Sequence, residues 1–158
     1  LRTRGCAIQL IDGRNSDLDT RASFGLGEAF VERMSGVCCP QLVEEVLGGK
    51  CTAVFDGRED DRIAHPDELV REGVSSLLLV PLETRGKPIG ILSLFTNKPY
   101  PFSDDEKQLM MSIGEQCALA IDNAMMFAAL KRRYEALVDD FHLWFEHSQS
   151  YPQSGSTA

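Results

Sequence analysis

The sequence predicts an α+β fold, an antiparallel sheet packed with helices, and three observations carry that prediction. Two β-rich apolar runs, Ser75 to Leu82 and Ile89 to Phe95, flank the charged, glycine-bearing link Glu83-Thr84-Arg85-Gly86-Lys87-Pro88, the pattern of an antiparallel hairpin. Each run is almost continuously apolar rather than alternating, so both of its faces are expected to be covered and the hairpin to lie at the centre of the sheet. A strong helical signal then starts at Ser103 and meets no proline until Pro152.

The remaining elements follow in chain order. Arg4 to Ile11 and Leu18 to Phe24 read as two strands joined through the turn-rich Asp12-Gly13-Arg14-Asn15-Ser16-Asp17. Gly25 and Gly27 end the second strand, and Leu26 to Arg33 can form a short helical turn. In QLVEEVL, Leu42, Val43, Val46 and Leu47 have helical spacing, with Pro40 suited to the first turn and Gly48-Gly49 to the stop. Cys51 to Phe55 is β-branched and apolar, a third strand. A polar excursion from Asp56 to His65 leads to Pro66, which opens a short helix through Glu72 that closes at Gly73. An excursion carried between two strands is a usual place for a pocket wall.

Ser103 with Glu106 has the spacing of a capping box, and Asp104 and Asp105 put negative charge in the first turn of the last helix, expected over about 103–147. One seam runs along it in steps of four and three through Ile113, Cys117, Ala120, Ala124, Phe127, Lys131, Tyr134, Val138, Phe141 and Phe145, the spacing of a coiled-coil stripe. The near half can bury itself on the domain. The far half, with Tyr134, Leu137, Val138, Phe141, Trp144 and Phe145, is expected to meet another chain or a segment preceding Leu1. The stretch 148–158, rich in Ser, Gln, Gly and Pro, is expected to be disordered.

At 158 residues the chain fits one domain, expected over 1–147. Its formal charge of −8 argues against a nucleic-acid or anionic-membrane surface, since phosphate binding needs clustered Lys and Arg. The dense basic run Lys131-Arg132-Arg133 is followed by Glu135, Asp139 and Asp140 and reads as a solvated helix face. No apolar run approaches the about 20 residues that span a bilayer, and no signal peptide precedes the first strand. Five cysteines, Cys6, Cys38, Cys39, Cys51 and Cys117, form an odd set better suited to reduced thiols than to a disulfide framework. A soluble, cytoplasmic protein is expected.

The order of elements, with Asp56, Asp61-Arg62-Ile63, Pro66, Gly73-Val74-Ser75-Ser76-Leu77, Val80-Pro81-Leu82, Gly86, Ile89-Gly90, Leu94, Phe102-Ser103, Glu106 and Ala118 to Ala124, resembles the GAF domain, a small-molecule-sensing module of signalling proteins. The resemblance covers Arg4 to about Tyr134. It implies a GAF/PAS-like fold: a central six-stranded antiparallel sheet, a helical bundle on one face that packs as a dimer, and a ligand pocket on the other. It also implies that the first helix of the bundle lies before Leu1. By position, the ligand-binding candidates are Phe55, Asp56, Ile63, His65, Leu69, Leu77, Leu79, Ser93 and Phe95, each of which can equally be core or loop filler. The expected role is sensory: an unidentified small molecule binds, and the state passes through the last helix to a homodimer partner, using Tyr134, Val138, Phe141 and Phe145, or to an effector domain or protein.

The specialised chemistries of the family are weighed one at a time. Asn97-Lys98, Phe102 and Asp105-Glu106 are similar to a cyclic-nucleotide signature, but the spacing departs by one residue and the helix cap explains Ser103 to Glu106. A bilin needs a cysteine near Pro66, and that region has none. Haem would need an axial ligand in a roomy cavity, for which only His65 is near, since His142 and His147 lie on the far helix. Cys38, Cys39 and Cys51 lack the paired spacing of a zinc site. The enzyme alternative is the free methionine-(R)-sulfoxide reductase branch, which Gly36-Val37-Cys38 and Cys51 resemble. Its third, catalytic cysteine would fall where this chain has Ile63-Ala64-His65-Pro66, so the sequence reads as non-catalytic. A dimerisation scaffold with no ligand is the other alternative. The sequence names no cofactor and no metal.

Overall fold

The computed structural model describes residues 3–14 and 16–150. The chain divides into two compact parts, Leu1–Ala120 and Ile121–Ala158. The first contains five strands, β1 (Gly5–Ile11), β2 (Leu18–Phe24), β3 (Thr52–Val54), β4 (Ser76–Thr84) and β5 (Lys87–Thr96), and three short helices, α1 (Glu28–Arg33), α2 (Pro40–Leu47) and α3 (Pro66–Glu72). A 3-10 turn, Met34–Gly36, follows α1. The last helix, α4, runs Asp104–Gln149 and supplies the described residues of the second part.

The strands form one antiparallel sheet in the order β2-β1-β5-β4-β3. The predicted hairpin is β4-β5, and it occupies the middle of the sheet. All residues from Ser76 to Leu82 and from Gly90 to Thr96 are buried, as a strand pair covered on both faces requires. The edge strand β2 is largely exposed. Its hairpin partner β1 approaches β5 closely at Gly90, where a Cβ would stand 2.0 Å from the Gln9 carbonyl oxygen.

Five strands are described where six were expected. The Asp56–Ala64 stretch folds into turns because Asp56 binds Arg58 and Asp60 binds Arg62 two residues on, and the segment adds only the isolated bridge Cys38–Ile63. Arg62 also donates to the Ala53 carbonyl at 3.2 Å, and its own carbonyl accepts the Cys39 N–H at 2.9 Å. The turn therefore ties β3 to the start of α2. Across the sheet end, Glu72 accepts the Gly27 N–H at 2.9 Å and pairs with Arg4 at 3.2 Å, which holds the start of α1 to the end of α3.

Strand alternation divides the apolar residues between two faces. Leu78 pairs with Leu94 and Val80 with Leu92 on one face, and there Gly114 of α4 packs so near that a Cβ would lie 2.8 Å from Val80 Cγ1. Met110, Gly114 and Ala118, at steps of four, are the buried stripe of this helix. A bundle was expected on this face, and the described residues place one helix, α4, against it. On the other face Leu77, Leu79, Ile91 and Phe95 join Phe30 of α1, Leu42 and Val46 of α2, and Leu69 of α3 in one core.

The start of α4 is the predicted capping box: Glu106 N–H donates to Ser103 Oγ at 3.2 Å and Ser103 N–H donates to Glu106 Oε2 at 3.0 Å. Its end lies slightly beyond the predicted one. Residues 148 and 149 are helical, and the rest of the tail expected to be disordered, 151–158, lies outside the described residues. From Ile121 onward the helix leaves large apolar side chains in solvent, among them Phe127, Leu130, Tyr134, Leu137, Phe141 and Trp144, each at least 61 % exposed. At 3.6 residues per turn these six fall within about a third of the circumference, broader than a two-helix seam. No described helix is long and apolar enough to cross a membrane.

Candidate functional site

The sheet face turned away from α4 holds a small cavity. Its floor is the central strands: Leu77 and Leu79 from β4, and Ile91, Ser93 and Phe95 from β5. Antiparallel register places Gln9 of β1 opposite Ile91 and Ala7 opposite Ser93, so Gln9 joins the floor. The cover comes from a continuous segment, with Met34 and Ser35 of the 3-10 turn, Val37 and Cys38 of the link, and Val43 of α2. Leu18 closes the side toward β2. Phe30 stacks edge-to-face on Phe95 with ring centroids 5.6 Å apart and fixes one end of the floor.

The volume is ≈ 20 Å³, space for about one water molecule and far below the roughly 300 Å³ at which ligand pockets begin. The lining is apolar apart from a few groups. Ser93 is 2 % and Gln9 5 % exposed, and Gln9 Nε2 has no hydrogen-bond partner among the described residues. A buried amide N–H left unpaired is costly, so this group stands out in a core otherwise built from aliphatic side chains.

Of the nine candidates read from the sequence, the cavity brings together Leu77, Leu79, Ser93 and Phe95. The other five lie elsewhere. Phe55 is 57 % exposed just past β3, and His65 is an exposed residue at the head of α3. Asp56 is engaged by Arg58, whose hydrogen bonds hold its carboxyl below the usual range. Ile63 and Leu69 are buried in the core, with Leu69 against the position of Gly57. The cover of this cavity comes from Met34 to Val43 and not from the excursion at Asp56 to Glu72, whose Ile63 and Leu69 join the core and whose Asp56 and Asp60 pair locally with Arg58 and Arg62. Gln9 was missed. Its signal was a single amide in the otherwise apolar interior of RGCAIQLI, but only the register with β5 puts it on the cavity floor.

The thiols are all free. Burial, with Cys39 and Asp60 adding to it and Arg62 opposing, pushes Cys38 from 9.0 up to about 12. Burial also raises Cys51. Both are thus neutral near pH 7 and poor nucleophiles. Glu106, part of the suspected cyclic-nucleotide signature, is consumed by the Tyr100 hydroxyl at 2.6 Å and by the helix cap. Among the described residues no three His, Cys, Asp or Glu side chains converge as metal ligands would.

A family model described as GAF domain matches residues 1–123, ending close to the limit of the first compact part at Ala120. Among curated proteins, the formate hydrogenlyase transcriptional activator FhlA of Escherichia coli K12 is 27 % identical over 103 residues. That match takes in 63 % of this chain but only 15 % of FhlA, so the chain spans a small fraction of the relative's length. A domain of a protein described as a two-component sensor histidine kinase of Sinorhizobium meliloti 1021 superposes with a TM-score of 0.68 at 24 % identity, covering 84 % of this chain and 86 % of that one. The type II free methionine-R-sulfoxide reductase of Thermoplasma acidophilum has the same fold at a TM-score of 0.59 and 17 % identity, over 73 % of this chain and 77 % of that one.

Proposed function

We propose, from the premise that the chain belongs to the GAF domain family, that it is a sensory module whose small-molecule site is the cavity between β5-β4 and the Met34–Val43 cover. The observation that supports this reading is a buried donor on the cavity floor: Gln9 Nε2 has no protein partner among the described residues and lies beside space that a ligand atom or a water can enter. The fold is one shared with a domain of a histidine kinase, and the sequence is related to part of a transcriptional activator, both regulatory proteins. Binding at ≈ 20 Å³ requires the cover to move outward, which makes the cover the part that responds.

The output runs through α4. Its apolar arc at Phe127, Tyr134, Val138, Phe141 and Phe145 is matched to a second copy of the chain in a helical bundle, and an effector domain or protein would receive the change. In the full chain, Tyr134→Lys with Phe141→Lys is expected to convert a dimer to monomer in sedimentation. An unchanged dimer overturns this part.

The small volume favours one second reading, a dimerisation scaffold with no ligand. Native mass spectrometry of the protein purified from its own host separates the two: a retained small molecule supports sensing, and a dry, closed cavity in a high-resolution crystal supports the scaffold. Reductase chemistry is disfavoured by the neutral Cys38 and Cys51 thiols and by His65 where a third cysteine would be needed. Reduction of free methionine sulfoxide that is lost in Cys51→Ser would reverse that conclusion.

A further inference from the structure

We propose that the molecule received by this cavity is uncharged or cationic, and that it is anchored by a single acceptor atom on the Gln9 side-chain amide. The inference rests on the sensory reading and narrows it to a ligand class. Gln9 is 95 % buried by its 5 % exposure, lies on the cavity floor, and presents Nε2 without a partner among the described residues. An amide nitrogen only donates, so its complement is a carbonyl, ether or ring-nitrogen acceptor. Around it Leu77, Leu79, Ile91 and Phe95 offer apolar surface, broken only by the Ser93 and Ser35 hydroxyls and the Cys38 thiol, which suits a ligand whose remaining body is mainly apolar.

Charge is decided at the entrance. The cavity shares Leu18, Ser35, Cys38 and Val43 with a wide groove of ≈ 890 Å³ between the β1–β2 turn and α2. This groove is lined by Asp12, Asp19 and Glu44, and no Lys or Arg is among its described lining residues. Arg21 offsets Asp19 at 3.3 Å from outside the groove lining. An anionic ligand would pass and settle against this excess of carboxylates, with no cation in the cavity to compensate it. A neutral ligand meets no such barrier, and an ammonium group left at the mouth would be stabilised. Carboxylates and phosphates are therefore the excluded class.

Three probes of similar shape separate these features: benzamide (acceptor, neutral), benzoate (acceptors, anionic) and toluene (no acceptor). They are titrated into the full chain and into Gln9→Leu, with binding read by NMR and the Gln9 side-chain amide resonances assigned by their loss in the variant. Benzamide is expected to shift those resonances and to bind about tenfold more tightly than toluene, the effect of one buried hydrogen bond. Gln9→Leu should erase that preference, and Asp19→Asn with Glu44→Gln should narrow the gap between benzamide and benzoate. Benzoate binding as tightly as benzamide, or a benzamide preference that survives in a folded Gln9→Leu, overturns the proposal. The molecule retained from the host distinguishes the two levels. A neutral or cationic one supports the inference, and an anionic one leaves the sensory reading standing but overturns the ligand class. No retained mass and no probe binding overturns both.

Discussion

On the α4 side of the sheet, which carries Leu78, Val80 and Leu82, the helix leaves no room to spare at Gly114, where even a methyl group would lie 2.8 Å from Val80 and 3.2 Å from the Pro81 carbonyl. On the opposite side, their neighbours Leu77 and Leu79 border an opening and share it with an unpaired amide. The same two strands supply both faces from alternating residues. What differs is the cover: one turn after another of a long continuous helix on one side, and on the other a 3-10 turn, a link and an eight-residue helix. A regular helix with a small residue at its contact packs flush on a sheet. A cover built from short pieces leaves gaps and can move in parts, which is why the cavity proposed as the site lies there.

Adjacent leucines of β4 give the largest expected effect. Leu78→Ala, in the filled face, should cost about 2–5 kcal/mol in urea denaturation, whereas Leu79→Ala, whose side chain borders the cavity and has fewer packing contacts to lose, should fall at or below the low end of that range. Equal losses would remove the contrast between the faces. Both side chains are almost completely buried, so exposure does not separate them.

Cys38 reports on how tightly the cover is closed. Its thiol is raised in the folded protein from 9.0 to about 12, so the neutral form stabilises the fold fully below pH 9, and that contribution is lost as pH rises toward 12. The stability of the wild type should therefore fall between pH 9 and 12 more steeply than that of Cys38→Ala. Parallel curves would mean that the thiol ionises freely and the cover is open. Labelling by a thiol reagent at neutral pH should correspondingly leave Cys38 slow to react in the native state.

The elements of the fold were legible in the sequence because each carried a local physical signature: continuous apolar runs for β4 and β5, Pro at the start and Gly at the end of α3, and Ser103 with Glu106 for α4. The sixth strand was implied only by the family resemblance and is not among the described elements, whereas the five strands read from the residues themselves are, and the polar excursion at Asp56 to Ala64 is held in turns by its Asp–x–Arg pairs. The floor of the site was half legible, since Leu77, Leu79, Ser93 and Phe95 follow from strand alternation once the hairpin is placed. Its cover was not. Whether Met34 to Val43 or Asp56 to Glu72 lies over the strands depends on long-range packing, and Gln9 reaches the floor only through the register of β1 with β5.

The central claim is that Gln9 is kept for a ligand and not for the fold, and the stability of ligand-free Gln9→Leu tests it most directly. Replacing an unpaired buried amide by an apolar side chain of similar size should raise the unfolding free energy by about 1 kcal/mol in urea denaturation. A Gln9→Leu protein less stable than the wild type would show that the amide is already satisfied in the ligand-free protein, by the fold or by a water in the cavity, and would contradict the account.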